Sequence, residues 1–149
     1  MGRCSNSQRI GDVLNMRWSH IEDGAFFVKQ SKTKKELWVP ILPERQAALD
    51  GASRLSVFVL TNERGTNCWS YRGASAAVRR IRERIGALPT IHGWPDNAAC
   101  ELLKAGCGDD LIGAVTGQSP AMVQHYTRKV RQRLRAVQAQ QMRTEQNRL

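Results

Sequence analysis

Ser119-Pro120 marks the start of a helix, and the stretch that follows constrains the fold more than any other part of the chain. Serine can accept from the free backbone N–H groups of a first turn, and proline suits the first helical position, where its missing N–H costs nothing. Met122, Tyr126, Val130, Leu134 and Val137 then recur at steps of three or four residues, the spacing of one helical face. This predicts a buried stripe that includes Tyr126, with Arg128, Lys129, Arg131, Arg133 and Arg135 turned elsewhere. Val130 to Leu149 contains neither proline nor glycine, so the helix can run well past the body of the domain. Tyr126 is then either a core aromatic in a basic helix or a phenol that looks into a cleft. The polar end, Gln138 to Arg148, is either a solvated tail or, through Leu134 and Val137, the edge of a small apolar face that packs on another chain.

Composition bounds the partners. The 149 residues suit one domain, and 41% apolar residues suffice for an ordinary core. A formal net charge of +10 and a pI near 10.2 favour a polyanion, since Lys and Arg gain affinity by releasing counterions from phosphates. Nucleic acid is the simplest such partner. A membrane is disfavoured, because no apolar run approaches a bilayer span and Met1 to Ser7 does not resemble a signal peptide. Cys4, Cys68, Cys100 and Cys107 include no C-x-x-C pair and no histidine at zinc-finger spacing. They are expected to be reduced thiols, buried or incidental, and the chain to be cytoplasmic.

In chain order, Ser7 to Trp18 has helical spacing at Ile10, Val13, Leu14 and Arg17, with Arg9 in the first turn. Gly24–Gln30 and Glu36–Ile41 are two β-rich runs around the tip Ser31-Lys32-Thr33-Lys34-Lys35, which predicts a hairpin. A lysine-rich tip ordinarily protects a sheet edge. Glu44 to Leu49 forms a short helix, Ser56 to Leu60 a brief β-rich run, and Thr61 to Asn67 a loop. Ser70 caps a helix with a stripe at Ala74, Val78, Ile81 and Ile85. Its Arg79, Arg80, Arg82 and Arg84 either bind phosphate or form a solvated face, with Glu83 available for local pairing. His92 sits in a loop before an alanine-rich helix, Asp96 to Ala105, and a shorter helix runs from Asp109 to Val115.

Five separated phrases, in order, resemble the catalytic domain of the tyrosine recombinases, the phage-integrase family. They are Ser7-Gln8-Arg9-Ile10-Gly11-Asp12 with Arg17-Trp18, Gln30-Ser31-Lys32-Thr33 with Val39-Pro40, Thr90-Ile91-His92 before the alanine-rich helix, Gly117-Gln118, and His125-Tyr126-Thr127. The resemblance spans about Ser7 to Ala136. It implies a mostly helical α+β fold, a bundle with a small antiparallel β-sheet near the N-terminal side. Residues 1–137 would be the catalytic domain and 138–149 a basic polar tail, without the N-terminal helical domain that closes such proteins around DNA. By the same resemblance Tyr126 is the nucleophile, Arg9 the first phosphate-clamping arginine, Lys32 the hairpin lysine and His92 the active-site histidine. The implied partner is double-stranded DNA, with a homo-oligomer formed through the C-terminal helix and no metal, nucleotide or other small-molecule cofactor.

Two positions depart from the pattern. Gln118 stands where a second histidine or tryptophan belongs, and its amide can still donate to a phosphate oxygen. Pro95 stands where the second arginine belongs; it has no charge and no donor, although it suits the first turn of a helix. The expectation is therefore a recombinase fold whose strand-cleaving activity is slow or silent. The alternatives are a remnant that only binds DNA or recombinase protomers, and an unrelated basic α+β nucleic-acid binder. Convergence of Arg9, Lys32, His92 and Tyr126 around one phosphate is the geometric expectation.

Overall fold

An Asp-Gly dipeptide makes the first turn of the sheet. Asp23 and Gly24 both have positive φ, at 48° and 72°, the two-residue arrangement whose twist suits an antiparallel hairpin. It joins β1 (Ile21–Glu22) to β2 (Ala25–Lys29), which pairs in turn with β3 (Glu36–Pro40) in the order β1-β2-β3. Phe26 lies opposite Val39 and Lys29 opposite Glu36. Ala25, Phe26, Val28 and Val39 are buried, while Phe27 and Trp38 form a cross-strand aromatic pair on the other face. The β2–β3 hairpin is the predicted one. The two-residue β1 was missed, although Asp23-Gly24 signals it.

The computed structural model describes residues 8–62, 64–86 and 94–146, and these divide into two compact units, one spanning Gln8–Trp94 and the other built from Pro95 onward. The first unit contains the sheet, α1 (Ile10–Leu14), a single 3-10 turn (Trp18–His20), α2 (Pro43–Asp50) and α3 (Tyr71–Ile85). Ile10 and Leu14 of α1 pack on Ala74 of α3, with Trp69 and Val78 at the margin. Ser70 caps α3 by accepting from Gly73 N at 3.1 Å.

Three expectations for this unit need correction. The helix predicted from Ser7 to Trp18 ends at Leu14, because Asn15 turns back to donate from Nδ2 to Gly11 O at 2.8 Å. The chain then runs extended so that Trp18 N donates to Val57 O and Val59 N to Met16 O. Those bonds flank a single bridge, Arg17 to Phe58, so the run Ser56 to Leu60 is not a strand; its partner enters the 3-10 turn one residue later. The stripe on α3 is buried at Ala74 and half-buried at Val78, but Ile81 is exposed and Ile85 is 66% exposed. α1 has five residues and α3 fifteen, so at ~1.5 Å per residue α1 can cover only about two turns of α3.

The second unit is helical: α4 (Trp94–Lys104), α5 (Asp109–Thr116) and α6 (Pro120–Gln146). Ala99, Ile112 and Val123 form its core, with Leu102, Leu103 and Cys107 packed around them. Gly117, at φ 71°, is the left-handed residue that ends α5 and returns the chain into α6. α6 starts at Pro120 as predicted, with Ser119 Oγ accepting from Met122 N at 3.4 Å and Ser119 O from Val123 N at 2.9 Å. Its buried residues, however, are Val123 and Thr127. Met122, Tyr126 and Leu134 are exposed, and Val137 is 50% exposed. The buried line is thus one residue, about 100°, around from the predicted stripe. Thr127 can occupy it because its hydroxyl donates to Val123 O at 2.6 Å, which makes a residue that reads as polar suitable for a core. No helix among the described residues is long and apolar enough to cross a membrane.

Ile112 is fully buried, so Ile112→Ala should cost about 2–5 kcal/mol, read as a lower denaturant midpoint for the helical unit. Leu134→Ala, at an exposed position, should change it by no more than about 0.5 kcal/mol. Equal losses from the two would mean that the far part of α6 packs on its own chain.

Candidate functional site

Arg9 and Lys32 both lie in the first unit and both are exposed. Arg9 occupies the position just before α1, with extended backbone (φ −65°, ψ 146°), and its carbonyl accepts from Val13 N at 3.0 Å. Lys32 sits in the turn between β2 and β3, closed by Gln30 N to Lys35 O at 2.8 Å and Lys34 N to Gln30 O at 2.9 Å. Buried neighbours tie these two segments together. Gln8 and Gln30 are almost fully buried, and Gln30 Nε2 donates to Gln8 Oε1 at 2.9 Å. Thr33 Oγ1 donates to Gln30 Oε1 at 2.6 Å, and Ser31 N donates to Asp12 Oδ1 at 2.9 Å. Each cation is therefore flanked in sequence by residues locked to the other's segment. The second oxygen of buried Asp12, Oδ2, has no hydrogen-bond partner among the described residues and so offers an acceptor beside this frame. Neither Arg9 nor Lys32 has an ion-pair partner among them, whereas Lys29 pairs with Glu36 at 2.9 Å.

Tyr126 and Gln118 belong to the second unit. Tyr126 is 38% exposed on the second turn of α6, with the His125 ring edge-on to it at 5.1 Å. Its segment of helix is anchored on several sides. Arg131 Nε donates to Thr127 Oγ1 at 3.0 Å and Arg131 Nη2 to Asp109 Oδ1, while Gln124 Nε2 reaches Asp109 Oδ2 at 3.3 Å. Opposite, Cys100 Sγ lies 3.7 Å from Tyr126 O. Burial, opposed by Lys104 but reinforced by Asp96 and Glu101, pushes the Cys100 thiol above its usual pKa, which keeps it in the protonated form that can donate to that carbonyl. The backbone of α6 is held and the phenol is left to reach outward.

Gln118 follows the left-handed Gly117, and its N donates to Thr116 Oγ1 at 3.2 Å. A side chain on Gly113 would bring its Cβ to 3.1 Å from Gln118 O, so the turn is tightly seated. The Gln118 amide, expected to offer a donor to phosphate, donates from Nε2 to Asp96 Oδ1 at 3.1 Å, and its Oε1 is buried without a partner among the described residues. Pro95 is the second residue of α4, in the first turn as expected. His92 lies outside the described residues. Sequence reasoning overlooked Gln8, Gln30, Asp12, Asp109 and Arg131. Adjacency to Arg9 and Lys32 was the one signal for the first two.

Residues 4–133 match the family model described as "Phage integrase family". This chain belongs to the phage integrase family. Its fold is that of the tyrosine recombinases: XerA recombinase aligns over 81% of this chain and 48% of its own, at 20% identity and a TM-score of 0.69. A lambda integrase dimer bound to a COC′ core site aligns over 81% and 47%, at 25% identity and 0.68. The lambda integrase catalytic core aligns over 74% and 75%, at 25% identity and 0.61. The integrase chain described here thus spans about half the length of the first two. No curated protein matches it.

Gln30→Leu should destabilise the first unit by about 1–3 kcal/mol, because it strips partners from buried polar groups, and should speed amide hydrogen exchange at 31–34 more than elsewhere in the unit. Unchanged exchange there would mean that the amide pair does not hold the Lys32 turn.

Proposed function

We propose that this integrase-family chain is a site-specific recombinase catalytic domain, acting on double-stranded DNA in the cytoplasm, with residues 1–137 as the domain and 138–149 as a basic tail. The observation that carries the reading is an exposed tyrosine on an anchored helix, in a chain whose family membership is established over residues 4–133. Related proteins support the partner: lambda integrase has been seen bound to DNA and as a tetramer on a Holliday junction.

In this reading Tyr126 Oη attacks the scissile phosphorus. The P–O5′ bond breaks, the 3′ phosphate becomes esterified to the tyrosine, and a 5′-hydroxyl is released that later reverses the step on another strand. The phosphodiester energy is kept in the covalent intermediate, so catalysis consists of placing the nucleophile, stabilising the charged phosphorane and protonating the leaving oxygen. Arg9 holds nonbridging oxygens, in a bidentate contact where geometry allows. Lys32 protonates the 5′-oxygen. His92 positions the phosphate and assists proton movement, with Gln118 as a partial substitute for the second donor. Arg72, Arg79 and Arg82, which share one side of α3 with Tyr71 and Ser75, suit contacts to the sugar–phosphate backbone.

Pro95 favours a second reading, a family member that binds DNA or recombinase protomers without cleaving. A missing donor aimed at transition-state charge costs about a hundred- to a thousandfold in rate. On a nicked suicide DNA substrate, Pro95→Arg should raise the covalently trapped fraction and Tyr126→Phe should abolish it. Equal trapping by the unaltered chain would show that another cation fills the role, and trapping that survives Tyr126→Phe would remove the nucleophile from the reading. For assembly through the C-terminal helix, deletion after Ala136 should leave the monomer folded and weaken self-association on DNA. Unfolding on that deletion would make the tail part of the core.

A further inference from the structure

We propose that the side of α6 turned away from Tyr126 holds a stretch of duplex sugar–phosphate backbone, separate from the phosphate assigned above to the tyrosine. This rests on the DNA-binding part of the reading above and not on cleavage. Arg128 and Arg135 are exposed on α6, and at ~100° per residue they lie about 160° and 180° around the helix from Tyr126. A shallow groove runs from Ala121 to Ala136, with Arg128, Gln132 and Arg135 along it. A helix with its side chains is about 10–12 Å across, and the phenol and these guanidinium groups leave it in opposite directions. One phosphate cannot be met from both sides.

The charge pattern sets this face apart from a merely solvated one. From Pro120 to Thr144 the helix carries Arg128, Lys129, Arg131, Arg133, Arg135 and Arg143 and no acidic residue; the first is Glu145. A helix face that meets only water usually alternates in sign, with opposite charges supporting each other at three- and four-residue steps. Here those steps join like charges: Arg128 to Arg131, Arg131 to Arg135, and Lys129 to Arg133. Asp109 of α5 relieves Arg131, but the guanidinium groups of Arg128 and Arg135 have no hydrogen bond or ion pair among the described residues. Repulsion that weakens the helix is left standing, and an external polyanion would remove it. Duplex DNA fits this face better than an acidic protein does. A protein partner ordinarily needs a buried aromatic or large apolar anchor, whereas alanine is the largest apolar side chain in the groove. A phosphate track needs cations, neutral donors such as Gln132, and the room to approach that Ala121 and Ala136 leave. The two arginines stand about 10 Å apart along the axis, a length over which a duplex, with one charge per ~1.7 Å, presents several phosphates.

The experiment titrates mixed-sequence duplex DNA into the whole chain and into Arg128→Gln/Arg135→Gln over a range of salt concentrations. The double variant should bind about tenfold more weakly at low salt, and its log affinity should fall less steeply with log salt, by about one unit of slope per arginine. Unchanged affinity and slope overturn the proposal. Arg128→Lys/Arg135→Lys keeps the charge and should retain most of the affinity; a loss as large as with glutamine traces to the helix rather than to phosphate, and overturns it too. Arg54→Gln/Arg64→Gln removes the same charge at two exposed positions of the first unit and should leave the slope nearly unchanged. An equal fall there would reflect net charge alone and would also sink the idea. Arg9→Ala separates this face from the cleavage site. Its loss should add to that of the α6 pair in a combined variant, since independent contacts add; a combined loss no larger than either alone means one shared phosphate and overturns the separation. If Arg9→Ala weakens binding and the α6 pair does not, the site stands and this face falls. If only the α6 pair does, this face stands and Arg9 leaves the site.

Discussion

The amide pair between Gln8 and Gln30 is the contact on which the first unit's share of the site depends. It joins residues 22 apart in sequence, and it does so with groups that carry no charge. A buried ion pair could have bound the segment before α1 to the hairpin turn, but it would have used up a cation, at a substantial desolvation cost. Neutral amides satisfy one another in the interior and leave the charge of both exposed cations unspent. The Thr33 hydroxyl extends the same logic by donating to Gln30 Oε1, whereas the Ser31 N–H donates to the buried carboxylate of Asp12, an acidic group within the same frame.

The second unit solves a related problem with different means. α6 must be fixed while one of its side chains stays accessible, so its anchors lie along the flanks of Tyr126 and not on it. Thr127 is the pivot: its hydroxyl serves Val123 O inside the helix and receives Arg131 from outside. Asp109 then gathers Arg131 and Gln124 onto α5. This partly buried arrangement is a network, and networks of charge and hydroxyl partners hold geometry more firmly than exposed surface pairs such as Lys29–Glu36.

The sequence made the elements legible where local chemistry decides them. Ser70 and Ser119 start helices, Gly117 ends one, and the alternating runs around Ser31–Lys35 fold as a hairpin. It misled where neighbouring elements decide. The spacing of Ile81 and Ile85, or of Leu134 and Val137, specifies a face but not whether anything lies over it, and α1 and α5 are short. Thr127 was invisible as a core residue because hydropathy ignores a hydroxyl that bonds within its own helix. Asn15 cut short a periodic run by a single side-chain bond. For the site, the family phrases name Arg9, Lys32 and Tyr126, which are exposed, and Gln118, which is half-buried; all four are read from chemical type. The buried amides behind them, and the carboxylate that claims Gln118, are properties of pairs distant in sequence and cannot be seen one residue at a time.

α6 is a single helix of 27 residues, about 40 Å long, and its side-chain anchors among the described residues end at Arg131. No proline or glycine offers a hinge beyond Pro120. Tyr126 and Val137, about 16 Å apart along the axis, therefore sit on one stiff rod whose fulcrum is the Thr127–Arg131–Asp109 contact. A twist or tilt imposed at the uncovered end cannot be absorbed by bending in between. It must appear at the short end, as a change in where the phenol points.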